Sequence, residues 1–451
     1  MRYELDSNAR RSANGTALFG GSPFRMLRLS PRGAEVLDEL VADAPATGGS
    51  AGSDLRDRLI DAGFIHPVLE PRSVLRSGIG FVIPVYEDEV GGARAIESIR
   101  IQAPDAPIVV VDDHSSRAVQ LDGAMIVRHD ENRGPAAARN TGVAALAPEC
   151  DVVVFVDSDV VLSQGCVARL VAHLDNGCAA VAPRIRPEPG STLVDRYEAH
   201  ASPLDLGPSP AVVRPGSPVP YVPSTVVAVR RSVFHEVGGF DEQMRVGEDV
   251  DLAWRMVEHG AFLRYEPRAE ARHRNRATWK ALARQRHGYG TAAAALDRRH
   301  PGDVAPVEIP APMLAVWSLI AFGGVPGLLT GGVVAAREFN ALRDRIGDLP
   351  DGSEQTRSLV LTGHRFAVQW LTHAVRRAWL PVVGLAAVFS RRARRVLLAS
   401  LGAPLVFDRG RNPVAGLLDD TAYCSGVWRG VLRERSAGAL RPRTAPRAPR
   451  S

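Results

Sequence analysis

Two aspartates leave one apolar run two residues apart, and their spacing is the sharpest chemical signal in the chain. In VVVFVDSDVVL, Val152 to Leu162, Asp157 and Asp159 flank Ser158, and alternation along an extended backbone points both carboxylates the same way. Hard oxygen ligands at a strand end suit Mg2+ or Mn2+ on a diphosphate, not a soft-metal site; two aspartates in a polar turn are the bland alternative. Asp112 and Asp113 end VVVDDHS, where a carboxylate can accept the imide N–H of uracil or simply cap a loop. Pro84, Tyr86 and Glu87 end FVIPVYED in the same way and are candidates for donor contacts. In ENRGPAAARNTG, Gly134 and Pro135 open a helix of small residues, with Asn132 before it and Arg139 within it. That helix start favours an anionic or polar ligand, although an Ala-rich helix packing on a sheet reads the same. Glu248 and Asp249 follow Gly247 at another helix start, as caps or as a general base with its neighbour. Gly239 in the turn GGFDE and Asp251 one turn on are candidates for acceptor support, and His273 in EARHRNR either lies at the surface or completes a metal's coordination.

These residues need a scaffold that brings several strand ends together. From Ile79 the chain shows short continuous apolar runs, GFVIPVY, PIVVVDD, AMIVRHD and DVVVFVDSD, each ending in polar residues. Such runs read as buried parallel strands with ligand loops at their carboxyl ends, so an α/β domain is expected over 78–290. Ahead of it, 1–75 reads as a small winged-helix-like unit: a strand at RMLRLS, a helix from Pro31 capped by Ser30, a second helix near Asp54 to Ala62, and the extended GFIHPV. After it, 305–435 reads as helical and membrane-associated. Ile309 to Ala336 carries no charge, which at about 20 residues per span is long enough to cross a bilayer. Pro326 and five glycines (323, 324, 327, 331 and 332) interrupt a straight helix there, so membrane association by one span or by a re-entrant or interfacial segment is expected, with a wholly soluble helical domain as the alternative. Ala378 to Ser390 and Val396 to Phe407 are shorter apolar stretches flanking Arg391, Arg392, Arg394 and Arg395, and 436–451 is expected to be a disordered Arg/Pro-rich tail.

Taken in order, FVIPVYED, VVVDDHS, NRGPAAARNTG, FVDSD, GGFDE, GEDVDLAWR and a late His resemble the family 2 glycosyltransferases of GT-A fold. The resemblance covers about residues 78–290 and implies Asp113 on the uracil, Asp157 near the ribose, Asp159 and His273 on the metal, and Asp249 as catalytic base. It also implies an inverting transfer from a UDP-sugar assisted by Mg2+ or Mn2+. Combined with the first unit, the Arg-rich composition and the helical end, the chain is similar to glycosyltransferases of an actinobacterial pathway for a peptide-derived redox cofactor. Glucose as donor sugar, the peptide-derived precursor as acceptor, a β-linked oligosaccharide product and partnership with other proteins of that pathway follow from this likeness alone. The first unit is then similar to PqqD-like peptide-recognition domains, with a plain winged-helix accessory domain as the alternative.

Composition bounds the remaining readings. The 451 residues are 45% hydrophobic and 23% charged, which excludes a disordered or polytopic membrane protein as the whole-chain class. Net charge is +5 and almost entirely arginine, Lys280 being the sole lysine. The late arginine clusters suit anionic headgroups, and no nucleic-acid partner is expected, because aromatic-rich RNA motifs and zinc-finger spacing are absent. Four cysteines without a C-x-x-C pair read as ordinary buried thiols of a reducing cytoplasm, and MRYELDSNARRSANG lacks the apolar core of a signal peptide. A nucleotide-sugar donor then places the enzyme on the cytoplasmic face of the inner membrane. The competing readings are a membrane polysaccharide synthase or lipid-acceptor transferase, weakened by the lack of a Q-x-x-R-W element, and a non-catalytic peptide-binding scaffold.

Overall fold

The computed structural model describes residues 2–42, 49–71, 75–408 and 410–444. The chain forms two compact units, one of residues up to Arg10 and from Leu18 to Asn275, the other of Arg11–Ala17 and the chain from Arg276 onward.

Along the N-terminal part of the chain β1 (Arg2–Leu5), β2 (Arg10–Arg11), β3 (Ala17–Gly20) and β4 (Arg25–Arg28) precede α1 (Pro31–Val41) and α2 (Gly49–Asp61), and β5 (Ile65–Val68) returns antiparallel to β1. Ser30 caps α1 by accepting from the Gly33 N–H, and Pro31 sits in its first turn, where a missing N–H costs nothing. Val36, Leu37 and Leu40 of α1 meet Leu59, Phe64 and Ile65 in a small closed core. Asp61 then pairs with Arg214, and Glu4 with Arg268 of the large sheet.

The large sheet takes β6 (Ile79–Val85), β7 (Ile108–Asp112), β8 (Met125–Arg128), β9 (Val152–Val156), β10 (Val160–Leu162), β11 (Ala180–Pro187), β12 (Ala211–Val212), β13 (Val226–Arg230) and β14 (Leu263–His273). Its order is β10-β14-β11-β13-β9-β6-β7-β8, with β12 beside β14. The all-parallel expectation holds for β9, β6, β7 and β8 and fails beyond them, since β13 runs antiparallel to both β9 and β11. Only Asp157, Ser158 and Asp159 separate β9 from β10, far fewer residues than a parallel crossover needs, so β10 turns away and pairs antiparallel with β14.

Helices cover both faces. α3 (Glu89–Arg100) and α5 (Cys166–Asp175) pack Ile96, Ile99, Leu170 and Leu174 against Phe81, Ile83 and Val154. On the other face α4 (Pro135–Ala145) and α8 (Glu248–Glu258) pack Ala136, Val143, Leu252 and Met256 against Val82, Val153 and Phe155. The short α6 (Leu193–Ala201) and α7 (Arg231–Glu236) complete this unit. Along β14 the register with β11 jumps from Pro183–Glu266 to Arg184–Glu270. Three residues are thereby skipped, and the strand changes faces: Leu263 and Tyr265 belong to one core, Ala269 and Ala271 to the other.

The second unit is helical: α9 (Trp279–Thr291), α10 (Ala293–Arg299), α11 (Ala311–Phe322), α12 (Gly324–Ile346), α13 (Gly352–Ala374), a π turn (Val375–Trp379), α14 (Leu380–Phe389), α15 (Arg391–Gly402), α16 (Pro404–Phe407) and α17 (Pro413–Glu434). The expected boundary at 290 therefore falls inside it. α9 lies along α17 at backbone contact, where a Cβ on Gly426 would meet the His287 carbonyl oxygen at 2.0 Å and one on Gly290 the Tyr423 oxygen at 2.2 Å.

The uncharged stretch from Ile309 to Ala336 does not form one span. It breaks at Gly323 and at Gly324, whose φ of +61° only glycine adopts readily, and α12 folds back so that Gly331 faces the Val316 carbonyl. Among the described residues no helix is long and apolar enough to cross a membrane. The tail is ordered further than expected: Gly438–Leu440 form a 3-10 turn, and Arg443 exchanges backbone hydrogen bonds with Val307 and Ile309. Residues 445–451 of the expected disordered tail lie outside the described residues. All four cysteines are buried and free, as expected.

Candidate active site

The carboxyl ends of β6, β7 and β9 meet because these strands are parallel neighbours, so the loops after Val85, Asp112 and Val156 converge. Among the described residues three non-glycine positions have positive φ, and two of them, Glu87 and His114, stand in these loops. Backbone strain of this kind persists only where surrounding contacts hold it. Here the Ser115 hydroxyl accepts from the Glu87 N–H at 3.0 Å, and Ser116 donates to both Glu87 carboxylate oxygens at 2.6 and 2.9 Å. Tyr86 is exposed beside them, on the surface a flat base could cover, while Pro84 lies within β6, opposite Val111.

Asp112 and Asp113 differ in what they leave open. Asp112 is fully buried and accepts from the Ser115 N–H at 2.9 Å, the Val119 N–H at 3.3 Å and the Arg128 guanidinium. Burial raises its pKa, but these donors outweigh that and hold it below the usual carboxylate range. Its role is to close the loop. Asp113 accepts from the N–H groups of Arg133 at 2.8 Å and Gly134 at 2.7 Å and pairs with His129 Nδ1 at 2.8 Å. A carboxylate offers about four lone-pair sites, so one remains on Oδ2. Asn132 donates to the Asp113 carbonyl at 3.1 Å and accepts from Arg245 at 3.1 Å, and Gly134, at φ +90°, lies under that same guanidinium.

The antiparallel pairing of β10 with β14 sets His273 opposite Val160, so Asp159 Oδ2 and His273 Nε2 stand 3.2 Å apart although 114 residues separate them in sequence. Among the described residues no group of three or more His, Cys, Asp or Glu side chains could hold a metal by itself. Two protein ligands fit an ion that arrives with its substrate, because Mg2+ and similar ions take one or two carboxylates plus phosphate oxygens and keep several waters. Ser158 does not point at this pair; its hydroxyl donates to Asp88 at 3.3 Å, and Asp88 also pairs with Arg274 at 2.7 Å.

Arg139 does not line the donor side either. It is 3% exposed, donates to Asp157 at 2.6 Å and Glu248 at 3.1 Å, and stacks over the Phe240 ring at 5.4 Å. The helix read as a ligand platform thus carries a brace that ties the β9 tip to the start of α8. Next to Glu248, Asp249 is recessed, with the Val250 N–H at 2.8 Å on Oδ1 and the Ser224 N–H at 3.4 Å on Oδ2. Burial first, and then the Glu248 charge, push its pKa up to about 7, against the opposing pull of these N–H groups and Arg139. A carboxyl so tuned exchanges a proton near neutrality. Asp251 and Gly239 stand behind the site: Asp251 is buried against Arg255 at 2.7 Å, and Arg255 donates in turn to the Gly239 carbonyl at 2.8 Å.

Sequence reasoning passed over Arg128, His129, Asp88, Arg274 and Arg245. Each acts through a partner remote in sequence, and only the position of Arg274 beside His273 gave any local signal.

A mixed sheet with carboxylates gathered at its strand tips and a recessed acid at a facing helix start defines a glycosyltransferase of GT-A fold, and residues 81–238 match the family model "Glycosyl transferase family 2". The pre-mycofactocin glycosyltransferase of Mycobacterium tuberculosis, in both strains CDC 1551 and H37Rv, is 36% identical over 97% of each chain. The chain belongs to the family of the pre-mycofactocin glycosyltransferases, within the family 2 glycosyltransferases. The O-antigen chain rhamnosyltransferase RfbN of Salmonella typhimurium is 27% identical over 43% of this chain and 66% of its own. Among solved structures, the mannosyltransferase PcManGT of Pyrobaculum calidifontis is 17% identical at a TM-score of 0.39, covering 84% of this chain and 99% of its own.

Proposed function

We propose that the enzyme transfers glucose from UDP-glucose, with inversion, onto the peptide-derived redox cofactor mycofactocin or its precursor, and that repeated transfer builds a β-linked oligosaccharide. The observation that carries this reading is the recessed Asp249 carboxyl at the start of α8, held near neutrality by burial and by Glu248. An acceptor hydroxyl gives its proton to an Asp249 oxygen. The acceptor oxygen attacks the anomeric carbon from the face opposite UDP, the bond from that carbon to the β-phosphate oxygen breaks, and UDP departs with the electron pair. Asp113 takes the uracil imide, Tyr86 covers the base, and Asp157, oriented by Arg139, receives the ribose. Mg2+ or Mn2+ bound by Asp159 and His273 would neutralise charge on the diphosphate. The acceptor assignment draws on the name of the 36% identical relative.

The test is mass spectrometry of the peptide-derived precursor after incubation with enzyme, UDP-glucose and Mn2+. A ladder of hexose additions, lost in Asp249→Asn while UDP still binds, is the expected result. Near-normal turnover by Asp249→Asn overturns the base assignment. Hydrolysis of UDP-glucose without a ladder moves the acceptor to lipid or polysaccharide.

The helical unit gives that second acceptor class its one support. Phe322, Leu328, Leu329, Leu385, Val388 and Phe389 are exposed large apolar residues on α11, α12 and α14, and Arg391, Arg392, Arg394 and Arg395 are exposed on α15, which follows α14. This combination suits helices lying in an anionic membrane surface, at the cytoplasmic face of the inner membrane where UDP-sugars are present. The N-terminal unit serves in this proposal as a PqqD-like peptide-recognition domain that presents the acceptor and meets other mycofactocin-pathway proteins.

A further inference from the structure

Arg245 stands apart from the other arginines around the strand tips. Arg128 pairs with Asp112, Arg133 with Glu242 at 2.7 Å, Arg139 with Asp157 and Glu248, and Arg274 with Asp88. Arg245 has no carboxylate partner among the described residues. Its hydrogen bonds go to a neutral residue, from Nη1 to the Asn132 side-chain oxygen at 3.1 Å and from Nη2 to the Asn132 carbonyl at 3.3 Å. A guanidinium carries five N–H donors, so with two engaged the rest stay open on an exposed side chain. Nothing in the glycosyl transfer derived above uses them.

The loop that carries Arg245 is tied to the uracil side. Glu242 accepts from Arg133 at 2.7 Å and from the Asn140 amide at 3.1 Å. Asn140 also donates to the Phe240 carbonyl at 2.9 Å and accepts from the Phe240 N–H at 3.0 Å. These bonds hold the loop along α4, and the Arg245 guanidinium settles on Gly134, where a Cβ would meet Nη1 at 2.7 Å and Cζ at 3.3 Å. So close an approach to backbone is what the missing side chain permits. The Gly134 N–H in turn donates to Asp113 Oδ2 at 2.7 Å, and Asn132, which accepts from Arg245, donates to the Asp113 carbonyl at 3.1 Å. Gly134 thus touches both the Asp113 carboxylate and the Arg245 guanidinium. This places Arg245 at the β7 tip, whereas Asp159 and His273 meet on the far side of β9, where β10 pairs with β14.

Uracil presents a carbonyl oxygen on each side of its imide N–H, an acceptor beside a donor. A carboxylate flanked by an open guanidinium is the complement of that edge, since one accepts and the other donates. Cytosine has the opposite order, a bare ring nitrogen beside an amino group. Against it the carboxylate would face a lone pair and the guanidinium an N–H, and polar groups left without partners are how a site rejects an analogue of the same size.

We propose that Arg245 reads the base: its guanidinium donates to the uracil carbonyl next to the imide held by Asp113, and the two side chains together select uracil over cytosine. This role rests on the reading of Asp113 as the uracil residue and supplies the second half of the recognition pair. It also sets a base contact four residues before Asp249, on the segment that enters α8.

Calorimetric titration of the full chain with UDP and with CDP, both in Mn2+, tests the role, because the two ligands share ribose and diphosphate and differ in the base alone. The wild type is expected to bind UDP about tenfold or more tighter than CDP. Arg245→Met, at an exposed position where folding is not at risk, should weaken UDP about tenfold, the scale of one charge-assisted hydrogen bond, and leave CDP within about twofold. Equal losses for the two nucleotides would assign Arg245 to the diphosphate or to loop support and overturn the role, as would an unchanged affinity for UDP. If the wild type binds CDP as tightly as UDP, the Asp113 reading falls together with it. If the wild type prefers UDP and Arg245→Met keeps that preference, Asp113 stands and the role of Arg245 alone falls.

Discussion

Replacing Arg139 with methionine should destabilise the catalytic unit by about 3 kcal/mol, and the size follows from its surroundings. The guanidinium is 3% exposed and bonds two carboxylates, Asp157 at 2.6 Å and Glu248 at 3.1 Å, so its removal leaves two negative groups facing each other across its vacated position. Breaking a buried ion pair from one side costs about 3–5 kcal/mol. The lower end applies because the Asp157 side chain keeps 24% of its exposure and can be rehydrated. At about 2–4 °C per kcal/mol for a unit of this size, the melting midpoint of Arg139→Met should fall by about 6–12 °C. The penalty comes from stranded charge, not from lost volume. Adding Asp157→Asn and Glu248→Gln to Arg139→Met should therefore restore most of the midpoint, although this triple variant is expected to be inactive. Differential scanning calorimetry of the wild type, the single and the triple variant measures both quantities. A single variant that melts within about 1 °C of the wild type, or a triple variant no more stable than the single one, would refute the reasoning.

Because the Asp249 carboxyl is pushed up to about 7, kcat/KM should rise with pH through that value, the base form being the active one. Glu248→Gln, which removes the neighbouring charge, should move the acid limb down by about one unit, and an unmoved limb contradicts the coupling. The same shift lowers stability as pH climbs from about 4 to about 7, since the unfolded chain has already released this proton. For the proposed metal ligands, Asp159→Ala or His273→Ala should weaken UDP binding about tenfold or more with Mn2+ and little in EDTA; equal calorimetric affinities in Mn2+ would remove both residues from the site. Gly426→Ala sets a Cβ about 2.0 Å from the His287 carbonyl, which should separate α9 from α17 and cost about 2 kcal/mol or more. An unchanged melt would contradict that close packing.

Local chemistry made much of this architecture legible. Apolar runs located β6, β7, β8 and β9 because each is continuous, short and closed by polar residues. Ser30 with Pro31, and Gly134 with Pro135, marked the starts of α1 and α4. The two-residue spacing of Asp157 and Asp159 marked this strand tip, yet it did not say that they part company: one faces Arg139, the other His273. Partner choice is set by which strands and helices become neighbours, and no window of a dozen residues contains that. Arg139 shows the limit most clearly. As a cation near a helix start it reads as a ligand for phosphate, and only the arrival of Glu248, 109 residues later in the chain, makes it a brace. The glycine break at 323 and 324 was visible in the sequence, whereas the fold-back of α12 onto α11 depends on packing that hydropathy does not encode.

The skipped residues of β14 bear on how such a chain can change over time. The half before the skip ends at Glu266, the skipped Arg268 reaches Glu4, and the half after it carries His273 to Asp159. In an uninterrupted strand, inserting or deleting one residue would turn every later side chain to the opposite face and carry His273 away from Asp159. Here the three unpaired positions act as slack: a length change among Pro267, Arg268 and Ala269 is absorbed before it reaches the paired segment that begins at Glu270. The two ends of one strand are thereby free to diverge at different rates, each without disturbing the register of the other.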